Sequence, residues 1–151
     1  MQDFVHLHVH TQYSLLDGQA SVARLVDKAM KNGMKGIAVT DHGNMFGIKE
    51  FTNYVNKKNS GPKGEVKDLK KRIAGIEAGT IECEDKEAEI AACKAKIVEA
   101  ENKLFKPIIG CEMYVARRTM DLKEGKPDQS GYHLIVLAKN ETGYHNLIKL
   151  V

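Results

Sequence analysis

Residues 4–10, FVHLHVH, alternate strictly for seven positions, a period that only an extended strand turns into two distinct faces. Phe4, His6, His8 and His10 would share one face and Val5, Leu7 and Val9 the other. After the loop TQYSLLDGQA, Ser21 is placed to cap a helix whose Val22, Leu25, Val26, Ala29 and Met30 form one apolar stripe, closed by Gly33. GIAVTDHGN follows as a short apolar strand that stops abruptly at Asp41 and His42. Strand, helix and strand at this spacing form a βαβ unit and imply a parallel sheet. Functional groups in such sheets collect just past the carboxyl ends of strands, where His10, Asp41 and His42 all fall.

A second helix is expected from about Gly47 to Lys58, ended by the Gly- and Pro-containing KKNSGPKGE. Beyond it, Val66, Leu69, Ile73 and Ile76 recur at helical spacing, and Ile90, Cys93, Ile97, Ala100 and Leu104 do so again after GTIECED. This predicts an antiparallel two-helix hairpin over residues 60–104. Residues 57–72 hold seven basic and two acidic side chains and residues 77–101 eight acidic and three basic, so the arms should attract. Because those charges pair internally, the hairpin reads as a solvated insertion rather than a partner-binding arm. KPIIGCEMYVA and YHLIVLAKN continue the sheet as a third and a fourth parallel-type strand, and a last helix should begin near Thr142. That helix would end on Leu147, Ile148, Leu150 and Val151 without a cap, which suggests the first part of a longer protein.

Composition narrows the function classes. A net charge of +3, from 23 basic and 20 acidic side chains, is too small to argue nucleic-acid binding by electrostatics alone. Cys83, Cys93 and Cys111 are odd in number and lack CxxC spacing, which fits reduced thiols in a cytoplasmic protein. No segment approaches the roughly 20 apolar residues of a membrane span, and no secretory leader is evident.

Imidazole nitrogen and carboxylate oxygen are ligands of Zn²⁺, Mn²⁺ and iron, and an i, i+2 pair on a strand aims both side chains into one space. His8 and His10 form such a pair. Asp17 lies in the following loop, His42 ends the second strand, Glu112 sits in the third and His133 opens the fourth. Any one of these histidines alone would read as a hydrogen-bonded core or surface imidazole. Six N and O ligands on successive strand regions exceed the needs of one tetrahedral site, so two or more ions are expected, an arrangement suited to phosphate ester hydrolysis.

HLHVHTQYSLLDG, GIAVTDHGNMFGIKEF, KPIIGCEMYVA and YHLIVLAKNETGYHNLIKLV together resemble the N-terminal PHP (polymerase and histidinol phosphatase) domain of the alpha subunits of bacterial DNA polymerase III. The resemblance covers nearly everything except residues 60–104, which stand as an insertion where the family passes directly to the KPIIGCE strand. It implies an α/β fold, a distorted (β/α)7 barrel of which residues 1–151 would be a partial PHP domain, roughly the first half. It also implies divalent metals, zinc, manganese or iron, with two or three ions in a complete domain, held here by His8, His10, Asp17, His42, Glu112 and His133. His6 lies outside the usual ligand pair; its strand parity faces the site, so it is expected to orient a ligand from behind. Asp41 is expected either to hold His42 or to touch metal, which makes it the one candidate for a catalytic group beyond the ligands. Arg117 and Arg118 are weaker candidates for gripping substrate phosphate, set against a solvated loop pair.

By the same resemblance the parent protein is a replicative DNA-directed DNA polymerase, and this domain a metal-dependent phosphoesterase suited to 3′-5′ proofreading. Polymerase carboxylates would lie downstream, so the fragment itself is expected to be inactive. The implied partners are DNA through the full-length polymerase, other replisome subunits, a proofreading exonuclease and the sliding clamp, with no membrane. Two rival readings stand beside it: a structural module that docks a separate proofreading subunit, and a stand-alone PHP phosphatase.

Overall fold

The computed structural model describes residues 4–151, which fall into two compact units. The first comprises the chain up to Tyr54 together with Lys106–Val151; the second is Val55–Phe105.

In the first unit the sequence following Ser21 forms helix α1, Val22–Lys31, with the Ser21 hydroxyl accepting from the Arg24 N–H. Val22, Val26 and Ala29 bury its apolar stripe, and Gly33 turns the chain out with φ 76°. Strand β1, Gly36–Val39, is buried at every position, as a strand covered on both faces should be. Helix α2, Ile48–Lys58, follows and buries Ile48 and Phe51. Strand β2, Lys106–Val115, runs parallel to β1, pairing Gly36 with Lys106 and Val39 with Ile109. An isolated parallel bridge prolongs this pairing and sets His42 opposite Glu112. Strand β3, Tyr132–Leu137, pairs with the other edge of β2, so the order is β1-β2-β3. The unit ends in helix α5, Glu141–Leu150, capped by the Asn140 side chain, which accepts from the Gly143 N–H.

Two expectations from the sequence are corrected. The described residues hold three strands instead of four, because FVHLHVH is extended but forms no regular ladder. Its carbonyls at His6 and Val9 accept from Ala38 and Thr40, so three residues on this segment span two on β1. The extra residue is absorbed by a bend at Leu7 and His8, as in a bulge. The Thr40 hydroxyl makes good the loss, accepting from Val9 N–H and donating to Val9 carbonyl. Second, β3 is antiparallel to β2, with Glu112 opposite Ile135 and Tyr114 opposite His133. The connection between them carries only a 3-10 turn, Lys126–Asp128, and a parallel return would have needed a crossover helix.

In the second unit helix α3, Ser60–Glu77, and helix α4, Lys86–Asn102, lie against each other. Ile76, Cys93 and Ala100 are buried, and Asp85 caps α4 by accepting from Ala88 N–H. Arg72 and Glu89 pair at 2.8 Å and Lys70 and Glu101 at 3.9 Å, basic on α3 and acidic on α4. Asn59 ties off the open end: its amide accepts from Phe105 N–H and donates to Phe105 carbonyl. Among the described residues no helix is long and apolar enough to cross a membrane.

Candidate metal centre

Glu112 is the hub. Its position in β2 leaves the carboxylate 1% exposed, and a buried charge must be matched by polar neighbours. Four imidazoles supply them. His8 Nε2 lies 2.6 Å and His10 Nε2 2.9 Å from Glu112 Oε2, and these two nitrogens are 2.9 Å apart. On the other oxygen, His42 Nδ1 stands 3.1 Å from Oε1, and His133 Nδ1 makes a close contact with it. Asp17 reaches His42 from the far side, with Oδ2 2.7 Å from Nε2. Four of the residues expected as ligands, His8, His10, His42 and His133, thus meet the carboxylate of a fifth, Glu112, and Asp17 joins them through His42. Two sets of three could each hold an ion: His8, His10 and Glu112, and His42, Glu112 and His133.

The donor chemistry fits divalent cations, since imidazole nitrogen and carboxylate oxygen suit zinc, manganese and iron alike. The hydrogen bonding points the same way: His42 Nδ1 and Glu112 Oε1, though only 3.1 Å apart, and His10 Nδ1 are buried without a well-aligned hydrogen bond, a state that buried polar atoms rarely keep. Burial pushes the Glu112 carboxyl up. His8, His42, His10 and His133 pull it down by more, so it stays below the ordinary glutamate range and anionic.

Local structure explains how the ligands arrive. Beyond the bulge in residues 6–9, His8 and His10 stand together, their Nε2 atoms 2.9 Å apart. His6 instead helps line a separate cavity of about 220 Å³ with Val9, Leu25, Ala29, Met34 and Ile37. The extra residue changes the alternation on which His6 was expected to stand behind a ligand. Residues 11–18 form a tight loop in which Ser14 N–H donates to Thr11 carbonyl and Gly18 N–H to Ser14 carbonyl. Gly18 is required there, because a Cβ would sit 1.7 Å from Thr11 oxygen.

Asp41 holds that loop to the sheet. It is 1% exposed, and its carboxylate accepts from Thr11 N–H at 2.6 Å, Thr11 Oγ1 at 2.8 Å and Ser14 Oγ at 2.6 Å. Both oxygens of this candidate catalytic group are thereby engaged by the 11–14 loop. Ser14 Oγ in turn accepts from His42 N–H, and the Asn44 amide donates to the carbonyls of Tyr13 and His42. Thr11, Ser14 and Asn44 escaped the sequence reading. Short hydroxyl and amide side chains beside HxH and TDH were the available signal, since such groups bind nearby backbone. Cys111, read as core, is buried, its Sγ donating to Asp41 carbonyl.

Arg118 is also committed elsewhere. It pairs with Asp128 at 2.5 Å and Glu124 at 2.9 Å, closing the 117–131 loop, while Arg117 donates to Ser130 Oγ and lies over the Tyr132 ring. The pair expected as a weak phosphate grip thus clamps its own loop. Arg118 and the Glu124 N–H hold the Asp128 carboxyl below its usual range. A depressed carboxylate stabilises the fold above its unfolded value of roughly 4, and that contribution is lost as pH falls through the folded value. NMR amide signals of residues 117–131 should therefore disperse normally at pH 5 and broaden below about pH 4. Asp128→Asn should show the loosened loop at both pH values.

The profile of the PHP domain matches residues 6–151. DNA polymerase III subunit alpha of Treponema pallidum (strain Nichols) is 40% identical over 148 residues, 97% of this chain and 9% of that protein. The subunit of the same name from Borreliella burgdorferi is 41% identical over 150 residues, again 97% of this chain and 9% of the relative. That from Aquifex aeolicus is 32% identical over 155 residues, 99% of this chain and 10% of the relative. The chain thus spans about a tenth of the length of these relatives. Since the profile match runs from His6 to the last residue, through every segment that delivers a side chain to Glu112, the chain belongs to the PHP domain family.

Proposed function

We propose that this chain is the N-terminal PHP-domain portion of a replicative DNA polymerase III alpha subunit, and that its site performs metal-dependent phosphoester hydrolysis, in the full protein 3′-5′ proofreading. The observation that carries the hydrolytic reading is the sharing of buried Glu112 between two sets of ligand atoms. A carboxylate that can bridge is what a site for adjacent cations needs. The relatives' name supports the polymerase assignment.

In this reading His8, His10, Asp17, His42, Glu112 and His133 hold two or three ions of zinc, manganese or iron. A bound divalent ion supplies Lewis acidity, acidifying water and offsetting phosphate charge. The chain's own part is positional. Glu112 provides fixed negative charge between the two imidazole pairs, and Asp17 orients the His42 ring from its exposed side. Asp41 keeps the Asp17 loop at the sheet. The fold is the first half of a PHP barrel, and residues 60–104 are an antiparallel hairpin inserted into it. Polymerase chemistry belongs to the rest of the protein, with DNA and replisome subunits as partners and the cytoplasm as its place.

The test measures bound metal by elemental analysis, and release of 3′ nucleotides, in a chain extended to the full PHP domain. The unsubstituted protein should carry metal and hydrolyse DNA, while His8→Ala and Asp17→Ala should lower both. The 151-residue chain should hold metal partially and show no nuclease activity. Metal-free protein, indifferent in fold to both substitutions, would overturn the proposal.

A further inference from the structure

Tyr114 lies on the same face of β2 as Glu112, two residues on, directly opposite His133 of β3. The residue is 55% exposed, yet its ring is held on several sides. The His133 ring meets it edge-on at 5.0 Å, and the His42 ring lies nearly parallel to it, at 14° and 6.2 Å. Gly43 closes the arrangement: it adopts φ +56°, and a Cβ there would come within 3.0 Å of Tyr114 Cε2. Glycine suits both the left-handed backbone and the close approach of the ring. An exposed aromatic surface fixed by two prospective ligand imidazoles and a glycine is prearranged to receive a flat apolar group next to the cluster. Leu16 and Phe46 add exposed apolar surface on the loops that carry Asp17 and His42.

We infer that Tyr114 is a substrate-positioning residue whose ring stacks on the nucleobase of the nucleotide whose phosphate is held at the Glu112 cluster. The inference rests on the proposed reading of that cluster. Stacking accepts any base, because each presents a π-face, and therefore suits an enzyme that must remove whichever nucleotide is wrong.

The experiment compares binding of thymidine 5′-monophosphate and of 1,2-dideoxyribose 5-phosphate, in which a hydrogen replaces the base, by calorimetry with the Mn²⁺-loaded and the metal-free 151-residue chain. The nucleotide should bind roughly tenfold more tightly than the sugar phosphate. Tyr114→Ala should remove that preference, Tyr114→Phe should keep it, and Mn²⁺ affinity should be equal in all three proteins. A preference that survives Tyr114→Ala, or an equal loss of both ligands, would overturn the inference. Failure of the unsubstituted chain to bind Mn²⁺ would count against the metal reading, and the base preference of the metal-free protein would still decide the role of Tyr114.

Discussion

Glu112→Gln is expected to weaken binding of divalent metal by roughly a hundredfold or more, since groups standing behind metal ligands already cost about 10- to 100-fold when removed. The reason is geometric. Both possible ion-holding sets contain Glu112, one through Oε2 near His8 and His10, the other through Oε1 near His42 and His133. An amide preserves volume and can still hydrogen-bond, but it presents only one acceptor and no charge. Loss should therefore extend to all ions. His133→Ala, which touches only the second set, should leave the His8 and His10 set occupied. Elemental analysis after gel filtration, alongside Mn²⁺ titration, would distinguish these patterns. Near-ultraviolet circular dichroism should report an intact fold for Glu112→Gln, and equal metal content in the two variants would mean that Glu112 is not shared. Metal-free protein provides a further check: the Glu112 carboxyl is held below its ordinary range, so it stabilises the fold above that range and this contribution fades as pH falls through the lowered value. Glu112→Gln should remove that part of the acid sensitivity.

Much of this arrangement could be read in the sequence because it follows from short-range periodicity. The apolar runs around Ile37 and Ile108 became strands, Ser21 became a cap, and the candidate ligands lay on strand-like segments or close after them. What escaped depends on events that no local period encodes. A single residue inserted between His6 and Val9 left the FVHLHVH alternation intact as text yet broke its regular pairing with β1. The direction of β3 depended on the connection. ARRTMDLKEGKPDQSG shows no apolar helical repeat and contains Gly and Pro, a signal for a loop return, and hence an antiparallel pair, that the expectation of a parallel-type strand passed over. The anchoring by Asp41 was hidden because its partners, Thr11 and Ser14, stand some thirty positions earlier in the chain.

Asp41→Ala is expected to destabilise the chain by about 3–5 kcal/mol, because hydrogen bonds to a charged group are worth about 1.5–3 kcal/mol each and are only partly additive. Three donors converge on this carboxylate from Thr11 and Ser14, and it is 1% exposed, so alanine would leave a backbone N–H and two hydroxyls buried without acceptors. Asp41→Asn should be milder but still harmful, since its amide would turn donor hydrogens toward donors. Asp17 offers the opposite case: it is 62% exposed and bonds His42 at the rim, so Asp17→Ala should change stability by no more than about 0.5 kcal/mol. Urea unfolding of the metal-free proteins would measure both effects, with metal affinity as the second axis. Asp17→Ala should lose metal at unchanged midpoint. Asp41→Ala should lose midpoint first, and metal as a consequence, because the loop bearing Asp17 and the His42 backbone are both tied through Ser14. If Asp41→Ala kept its midpoint while losing metal, the carboxylate would have to be acting at the ions directly. The positioning role assigned to it from the three hydrogen bonds would then be wrong.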